Sequence, residues 1–300
     1  MILGIDIGGT SVKFGLVSEK GTINSSKSYS THDWVENEGM VEGLKSAVRN
    51  YLQNHPEIEG VGMGFPGLLT KDRRSIILLQ NIPSLNGVPI MDILEKEFPG
   101  LKIKIENDSN CAASGEHSFG ENKGLDNFLL ITLGTGVGSG AMIDKHLFVG
   151  ARGNGLEFGD MLTDGLQSLE KQIGITPLIN YTLEQLKANP SDNSLLRADN
   201  ISPKIIYEAA LAGDKIAISV YKYVGTLLGQ CLVSAIRILD ITTILLGGGV
   251  AGAFEFIEPQ IRSILEQHLH PYYIKELIIK KASLRNHAGL LGAAGLILHD

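Results

Sequence analysis

Cysteine is scarce in this chain: Cys111 and Cys231 are its two among 300 residues. Both fall in apolar patterns of helical spacing, so they read as small core residues in a reducing compartment, not as a disulfide or a metal site. Basic residues are in deficit as well. Twenty-six lysines and arginines against 33 acids leave a net charge of −7, which argues against nucleic acid or another polyanion as partner. Nowhere does a glycine precede a lysine, and this excludes a Walker-type phosphate loop, which needs that pair at the start of a helix. The N-terminus has no basic region, so no cleavable leader is expected. Later, the most apolar stretch, Ile241 to Ala253, is too short and too rich in glycine to span a bilayer. The expectation is a cytoplasmic protein with no membrane partner.

Glycine, by contrast, is abundant. The chain has 36, well above the roughly 7% of an average protein, and the excess lies largely in turns. Leu3 to Thr10 reads Leu-Gly-Ile-Asp-Ile-Gly-Gly-Thr, a buried-type strand that delivers Asp6 into the turn Gly8-Gly9. Positive φ and close backbone approach become available there, so a phosphate could lie against main-chain N–H groups. Beyond it Val12, Phe14 and Leu16 alternate with Ser11, Lys13 and Gly15, which predicts a second, antiparallel strand in place of a helix. A similar unit follows the strand Phe128 to Leu133, with Gly134 to Gly140 as its glycine-rich turn and Ala141 to Ile143 and Leu147 to Val149 continuing it. Two such units, one near the start of each half, suggest a duplicated architecture around a cleft. A third junction joins the strand Thr243 to Leu246, through Gly247-Gly248-Gly249, to an amphipathic helix reaching about Glu266.

Three hundred residues, 43% of them hydrophobic and 20% charged, suit two domains with sizeable cores. Helical spacing covers Met40 to Asn54, Ile90 to Phe98 and the long segment Lys215 to Leu239. Gly60 to Phe65 reads as a strand ending in Pro66-Gly67, and Ile103 to Ile105 leads into Glu106-Asn107-Asp108 at another strand end. The region from about Leu162 to Asn200 is polar and helical, with Pro190 to Ser194 as an exposed turn.

Five of these segments occur in the order seen in bacterial sugar kinases of the ROK family, which the chain resembles over nearly its whole length. They are Asp6 to Thr10, Gly64-Phe65-Pro66-Gly67, Glu106 to Ala113, the second glycine hairpin, and Gly247 to Gly249. The resemblance implies an α/β, actin-like sugar-kinase fold of two duplicated, ribonuclease H-like lobes. Residues 1–115 would form the small lobe, with a terminal helix at 288–300 packing back on it, and residues 116–287 the large one. It also implies phosphorylation of a free hexose by magnesium-ATP, in the manner of a glucokinase, with transfer to the 6-hydroxyl. Since relatives are often dimers, a homodimer is compatible.

Such a transfer needs a base to align the hydroxyl, magnesium on the phosphates and backbone donors for developing charge. Asp108 is the expected base, because it follows a strand and precedes a helix and so sits at the strand's C-terminal edge; the resemblance agrees, while the alternative is a helix cap. Asp6 is expected to meet magnesium directly or through water, with a turn-capping role as the alternative, and Asp108 to meet it through the phosphates or water. Gly8, Gly9 and Thr10 on one side, and Gly134, Thr135 and Gly136 on the other, are expected to clasp phosphates. Lys13 could add charge or simply face solvent. Gly247, Gly248 and Gly249 are read as an adenosine-side contact. Gly247-x-Gly249-x-x-Gly252 also satisfies the dinucleotide fingerprint, but no acidic strand end follows at the required distance. By resemblance, Asn107 and Asp108 contact ring hydroxyls, Glu157 supplies a carboxylate near C1 and C2, and Asn81 or Asn86 approaches from the first lobe, although loop chemistry around Pro83 explains those two equally well.

One departure matters. Most family members read Gly-Glu-Ile-Gly-His where this chain has Leu156-Glu157-Phe158-Gly159-Asp160, and a cysteine cluster then binds structural zinc with that histidine. No cysteine lies between Asp160 and Ile175, so no thiolate zinc site is expected and packing would hold the loop Thr163 to Leu169. Asp160 offers only acceptors where the histidine touches sugar in relatives. An N-acyl-hexosamine, mannose or fructose thus becomes an alternative substrate, and a non-catalytic sugar or nucleotide sensor an alternative function. The family's repressors carry an N-terminal DNA-reading domain, for which the hairpin beginning at residue 4 leaves no room.

Overall fold

The alternation across the first glycine turn makes a hairpin. In the computed structural model, which describes residues 1–121, 123–190 and 193–298, β1 (Ile2–Ile7) and β2 (Ser11–Val17) pair antiparallel with Asp6 opposite Lys13. β3 (Ile23–Ser30) extends the sheet beyond β2, while β4 (Gly60–Phe65) and then β7 (Lys102–Asn107) join parallel on the other side, giving the order β3-β2-β1-β4-β7. A small hairpin, β5 (Leu68–Leu69) with β6 (Ile76–Leu78), stands apart. Helices α1 (Thr31–Asn37), α2 (Met40–Asn54) and α3 (Ile90–Glu97) send Trp34, Leu44, Val48 and Leu94 into one core with Phe14 and Phe65 of the sheet. Helix α4 (Asp108–Phe119) starts directly at the end of β7.

The second sheet repeats the first. Its strands are β8 (Phe128–Leu133), β9 (Val137–Ile143), β10 (His146–Phe148), β11 (Thr243–Gly247) and β12 (Ile278–Lys281), in the order β10-β9-β8-β11-β12. The turn between β8 and β9 is shorter than expected: Gly138, Ser139 and Gly140 belong to the strand. Gly140 has a packing role, since a Cβ there would press on Ser109 O and Ala113 Cβ of α4. The accompanying helices are α5 (Glu170–Ile173), α6 (Ile175–Ala188), α7 (Pro203–Leu211), α8 (Lys215–Leu239), α9 (Phe254–His268) and α10 (Pro271–Lys275). By length and composition α8 is apolar enough to cross a membrane, yet 67% of its most apolar window is buried in the protein. It is a core helix packed on α9, capped by Asp214, whose Oδ1 accepts from Ala217 N at 2.9 Å, and ended by Asp240 in the left-handed region. Both cysteines are buried, in α4 and α8, and burial pushes both thiols up, Cys231 to about 11.

The chain forms two units. The first contains Met1–Asp126, Gly140–Leu156 and the chain from Asn286; the second contains Asn127–Ser139 and Glu157–Arg285. The boundary expected near Gly115 falls inside α4, where an unbroken helix leaves no place for a division. Helix α11 (Ala288–Leu298) lies on α4, β1 and β4. Gly4 and Gly62 permit this approach, because a Cβ at either would overlap the main-chain oxygen of Leu290 or Ala293. Residues 299–300 of the expected terminal helix, and Ser191 and Asp192 of the expected turn, lie outside the described residues.

Candidate active site

In the first unit the chemistry gathers where β7 becomes α4. Asn107, not Asp108, caps the helix: its Oδ1 accepts from Ser109 N at 2.9 Å and Asn110 N at 3.1 Å. Its Nδ2 donates to Gly67 O at 3.1 Å, so one amide hydrogen remains for a ligand. Asp108 is thereby relieved of the capping role; it is half-buried on the first turn, its Oδ1 accepting from Ser109 N at 2.7 Å. Below it lies a buried carboxylate that sequence reasoning passed over. Glu106 is 6% exposed, accepts from Asn107 N at 2.8 Å and Asn110 Nδ2 at 3.0 Å, and forms a two-point ion pair with Arg73 at 2.9 Å. Arg73 also donates to Thr70 O at 3.2 Å and Gly153 O at 2.6 Å. The signal was a glutamate in the position of a buried strand residue after Ile103 and Ile105, which must find a cation. Arg73, in a run of surface-type charges, gave no hint of being that cation.

Asp6 stands at the end of β1, 3.3 Å from Lys13 Nζ. Lys13 therefore has a partner and does not merely face solvent. The carboxylate rests against the start of α11, where a Cβ on Gly289 would lie 3.1 Å from its Oδ1. The turn is tied down by Gly8 N to Ser11 O at 2.9 Å, Thr31 Oγ1 to Gly8 O at 2.7 Å and Thr31 N to Thr10 O at 3.1 Å. Asn81 lies beside this turn, since a Cβ on Gly9 would meet its Cβ at 2.8 Å. Asn86 is used within its own loop, accepting from Leu79 N at 2.7 Å. Asp6 and the cradle around Gly8 and Gly9 fit a metal-bound phosphate: a hard oxygen ligand stands beside a backbone without side chains.

The second unit holds the remaining residues. Gly134 N donates to Gly136 O at 2.9 Å to close the turn, with Thr135 at its tip, and Glu170 Oε2 accepts from Val137 N at 2.9 Å across it. Glu157 and Asp160 bound a single 3-10 turn in which Asp160 N donates to Glu157 O at 3.1 Å. Partial burial, with Asp160 and Glu170 adding like charge, raises the Glu157 carboxyl above its ordinary range. Leu156, just before it, has φ of 68°, a left-handed conformation that favours glycine. Hydrogen bonds hold the loop Thr163 to Leu169 together with packing of the fully buried Leu169. Thr163 N donates to Gln167 O at 3.0 Å, Leu169 N to Met161 O at 2.9 Å, and Gln172 Nε2 to Thr163 Oγ1, while Leu162 and Leu166 stay exposed.

A pocket of about 420 Å³ lies wholly in this unit, between the start of α7 and the turn after β11, lined by Pro203, Lys204, Tyr207, Tyr221, Gly249 and Val250 among others. Of the triple glycine, Gly249 faces this pocket, whereas Gly248, at φ of 82°, abuts Leu133 O and shapes the turn. β12, the parallel strand after α9, ends in Lys281, so the acidic residue of a dinucleotide fold is missing there.

A family model described as the ROK family matches residues 2–300. The chain belongs to the ROK family. It is 32% identical to the glucokinase of Streptomyces coelicolor over 99% of this chain and 97% of that protein. Among solved structures, a putative sugar kinase from Cytophaga hutchinsonii shares 50% identity with a TM-score of 0.96, covering 100% of both chains. A ROK family glucokinase from Streptomyces griseus, in complex with glucose and AMPPNP, shares 31% identity with a TM-score of 0.80 over 98% of each chain. The fold is the actin-like α/β fold that the motifs led one to expect.

Proposed function

We propose that this sugar kinase transfers the γ-phosphoryl group of magnesium-ATP directly to the 6-hydroxyl of a free hexose, in the cytoplasm. The observation that carries the reading is Asp108: a carboxylate on the first turn of α4 with the capping role taken by Asn107. Asp108 aligns the sugar hydroxyl and takes its proton as the oxygen attacks. Asn107, through its remaining amide hydrogen, and Asn81, beside Gly9, supply polar partners for ring hydroxyls. Glu157 and Asp160 form the acceptor side of the sugar site. Asp6 holds magnesium directly or through water, with Lys13 and the start of α11 setting its carboxylate. Magnesium held there would supply positive charge to offset the charge that develops in transfer. The main chains of Gly8, Gly9 and Thr10, and of Gly134, Thr135 and Gly136, receive phosphate oxygens. The pocket at Gly249 takes the adenosine end, its tyrosines and Val250 giving an apolar wall and Lys204 a polar rim.

Asp160 favours a second reading of the substrate. An acceptor-only side chain beside an already crowded Glu157 suits a donor-rich sugar, such as a hexosamine or its N-acyl derivative. Release of ADP across glucose, mannose, fructose, glucosamine, N-acetylglucosamine and N-acetylmannosamine tests both. One sugar is expected to turn over. Asp108→Asn should lower kcat by roughly 10²- to 10⁴-fold while sugar binding persists, and unchanged turnover in the variant would remove Asp108 from its role.

A further inference from the structure

One side chain outside the sites already described takes the place of a peptide group. Asn154 Oδ1 accepts from Leu69 N at 3.0 Å, and Asn154 Nδ2 donates to Leu69 O at 2.7 Å. A single amide thus serves β5 as a neighbouring strand would. Leu69 is fully buried, so both of its main-chain groups must find partners inside the protein. Arg73, in the turn of the same hairpin, adds a third tie: its Nη2 donates to Gly153 O at 2.6 Å, and a Cβ on Gly153 would lie 2.6 Å from its Nη1. Gly155 N donates in turn to Val149 O at 2.9 Å, which closes residues 149–155 into a loop. Gly150 and Gly153 shape it at φ of 70° and 91°. The loop is therefore fixed to itself and to the hairpin, all within the first unit.

Its pinned end lies three residues before Glu157. On the far side, Phe158 N donates to Ser139 Oγ at 3.2 Å, within the second unit. Leu156 and Glu157 thus run between two anchors, and the chain passes from the first unit to the second between them. A leucine can be kept at φ of 68° in such a stretch, because that conformation persists only where its surroundings over-determine it. Among the described residues nothing donates to the Glu157 carboxylate; what acts on it is burial and the like charges of Asp160 and Glu170. Its place is then set through its main chain.

We infer that Asn154 is a positioning residue of the sugar site: by binding both main-chain groups of Leu69 it fixes the segment that delivers Glu157, and so holds that carboxylate ready for the sugar. The sugar part rests on the kinase reading, in which Glu157 belongs to the acceptor side; the anchoring does not. Holding a group in place beforehand cuts the ordering that binding must otherwise supply, so Asn154 acts on affinity.

Steady-state kinetics of the full chain test this. Asn154→Ala is expected to raise KM for glucose, or for whichever sugar of the panel turns over, about fivefold, with kcat and KM for ATP within about twofold of the unaltered values. Asn154→Asp keeps the size and one acceptor but sets a carboxylate oxygen against Leu69 O, and should act in the same direction. A double-mutant cycle decides the route. In a Glu157→Gln background, Asn154→Ala should change the sugar KM by less than about twofold, since two changes on one path do not add. Full additivity, or an unchanged sugar KM in both Asn154 variants, overturns the proposal. Hydrogen exchange read by mass spectrometry gives a test without turnover. Segment 155–160 should exchange faster in Asn154→Ala while α8 keeps its protection; equal exchange at 155–160 overturns the anchoring. Failure of the kinase reading would appear separately, as no sugar-dependent ADP release by the unaltered protein, and exchange would still decide what Asn154 holds.

Discussion

β1 and β8 are one piece of architecture built twice. Each has six residues, each is the third strand of a five-stranded sheet, and each is buried throughout except at its fifth residue. That residue is Asp6 in β1 and Thr132 in β8. The frame is thus duplicated while the charge is not. The first hairpin displays a carboxylate steadied by Lys13; the second offers a hydroxyl, and Glu170, which crosses its turn, is engaged by Val137 N. One copy presents an acceptor-only carboxylate and the other a neutral hydroxyl, although burial is the same in both.

Breaking the comparison at its charged member should have the largest effect. Asp6→Asn is expected to lower kcat by about a hundredfold, with magnesium dependence displaced to higher concentration, while Thr132→Ala changes it by less than about threefold; equal losses in steady-state rates would mean the two strands are functionally alike. Next comes the support beneath Asp108. Arg73→Met leaves Glu106 buried without its cation and should cost about 3 kcal/mol of stability, read as a lower midpoint in denaturant. Leu156 offers a smaller, opposite effect: replacing it with glycine relieves a left-handed φ of 68° and should stabilise the protein by up to about 1 kcal/mol, seen as a higher melting temperature. A fall there would show that the Leu156 side chain outweighs the strain.

The smallest effect sharpens the contrast through pH. Burial, then Asp160 and Glu170, raises the Glu157 carboxyl above its ordinary value. A raised acid binds its proton more tightly folded than unfolded, so stability falls as pH climbs from the ordinary carboxylate range through the raised value, then levels. Glu157→Gln should melt like the unaltered protein in acid and at a higher temperature near neutrality. Parallel curves across that window would contradict the assignment.

Periodicity made most of the fold legible. Met40–Asn54, Gly60–Phe65 and Lys215–Leu239 have the limits that their apolar spacing predicts, because each buries a regular face. The second glycine turn was misjudged, since Gly138 and Gly140 look like turn residues in sequence and only the neighbouring helix shows that Gly140 serves close packing. The division at Gly115 was misplaced for a related reason: units are set by long-range contacts that no local pattern records. At the site, residues adjacent in sequence, such as Asn107 and Asp108, were legible. Those recruited from afar, Arg73 and Gly289, were not, because a side chain or a missing one acquires its meaning from a partner 33 residues away in one case and from a strand at the other end of the chain in the other.

The loop Thr163 to Leu169 has a consequence for the life of the protein in the cell. Its closure is written in amides and hydroxyls, Thr163 to Gln167, Leu169 to Met161 and Gln172 to Thr163, and so is complete once the chain has folded. A thiolate-bound loop would depend on metal delivery and on the thiols staying reduced. This one contains no cysteine, so its closure offers no thiolate to a metal and no thiol to an oxidant.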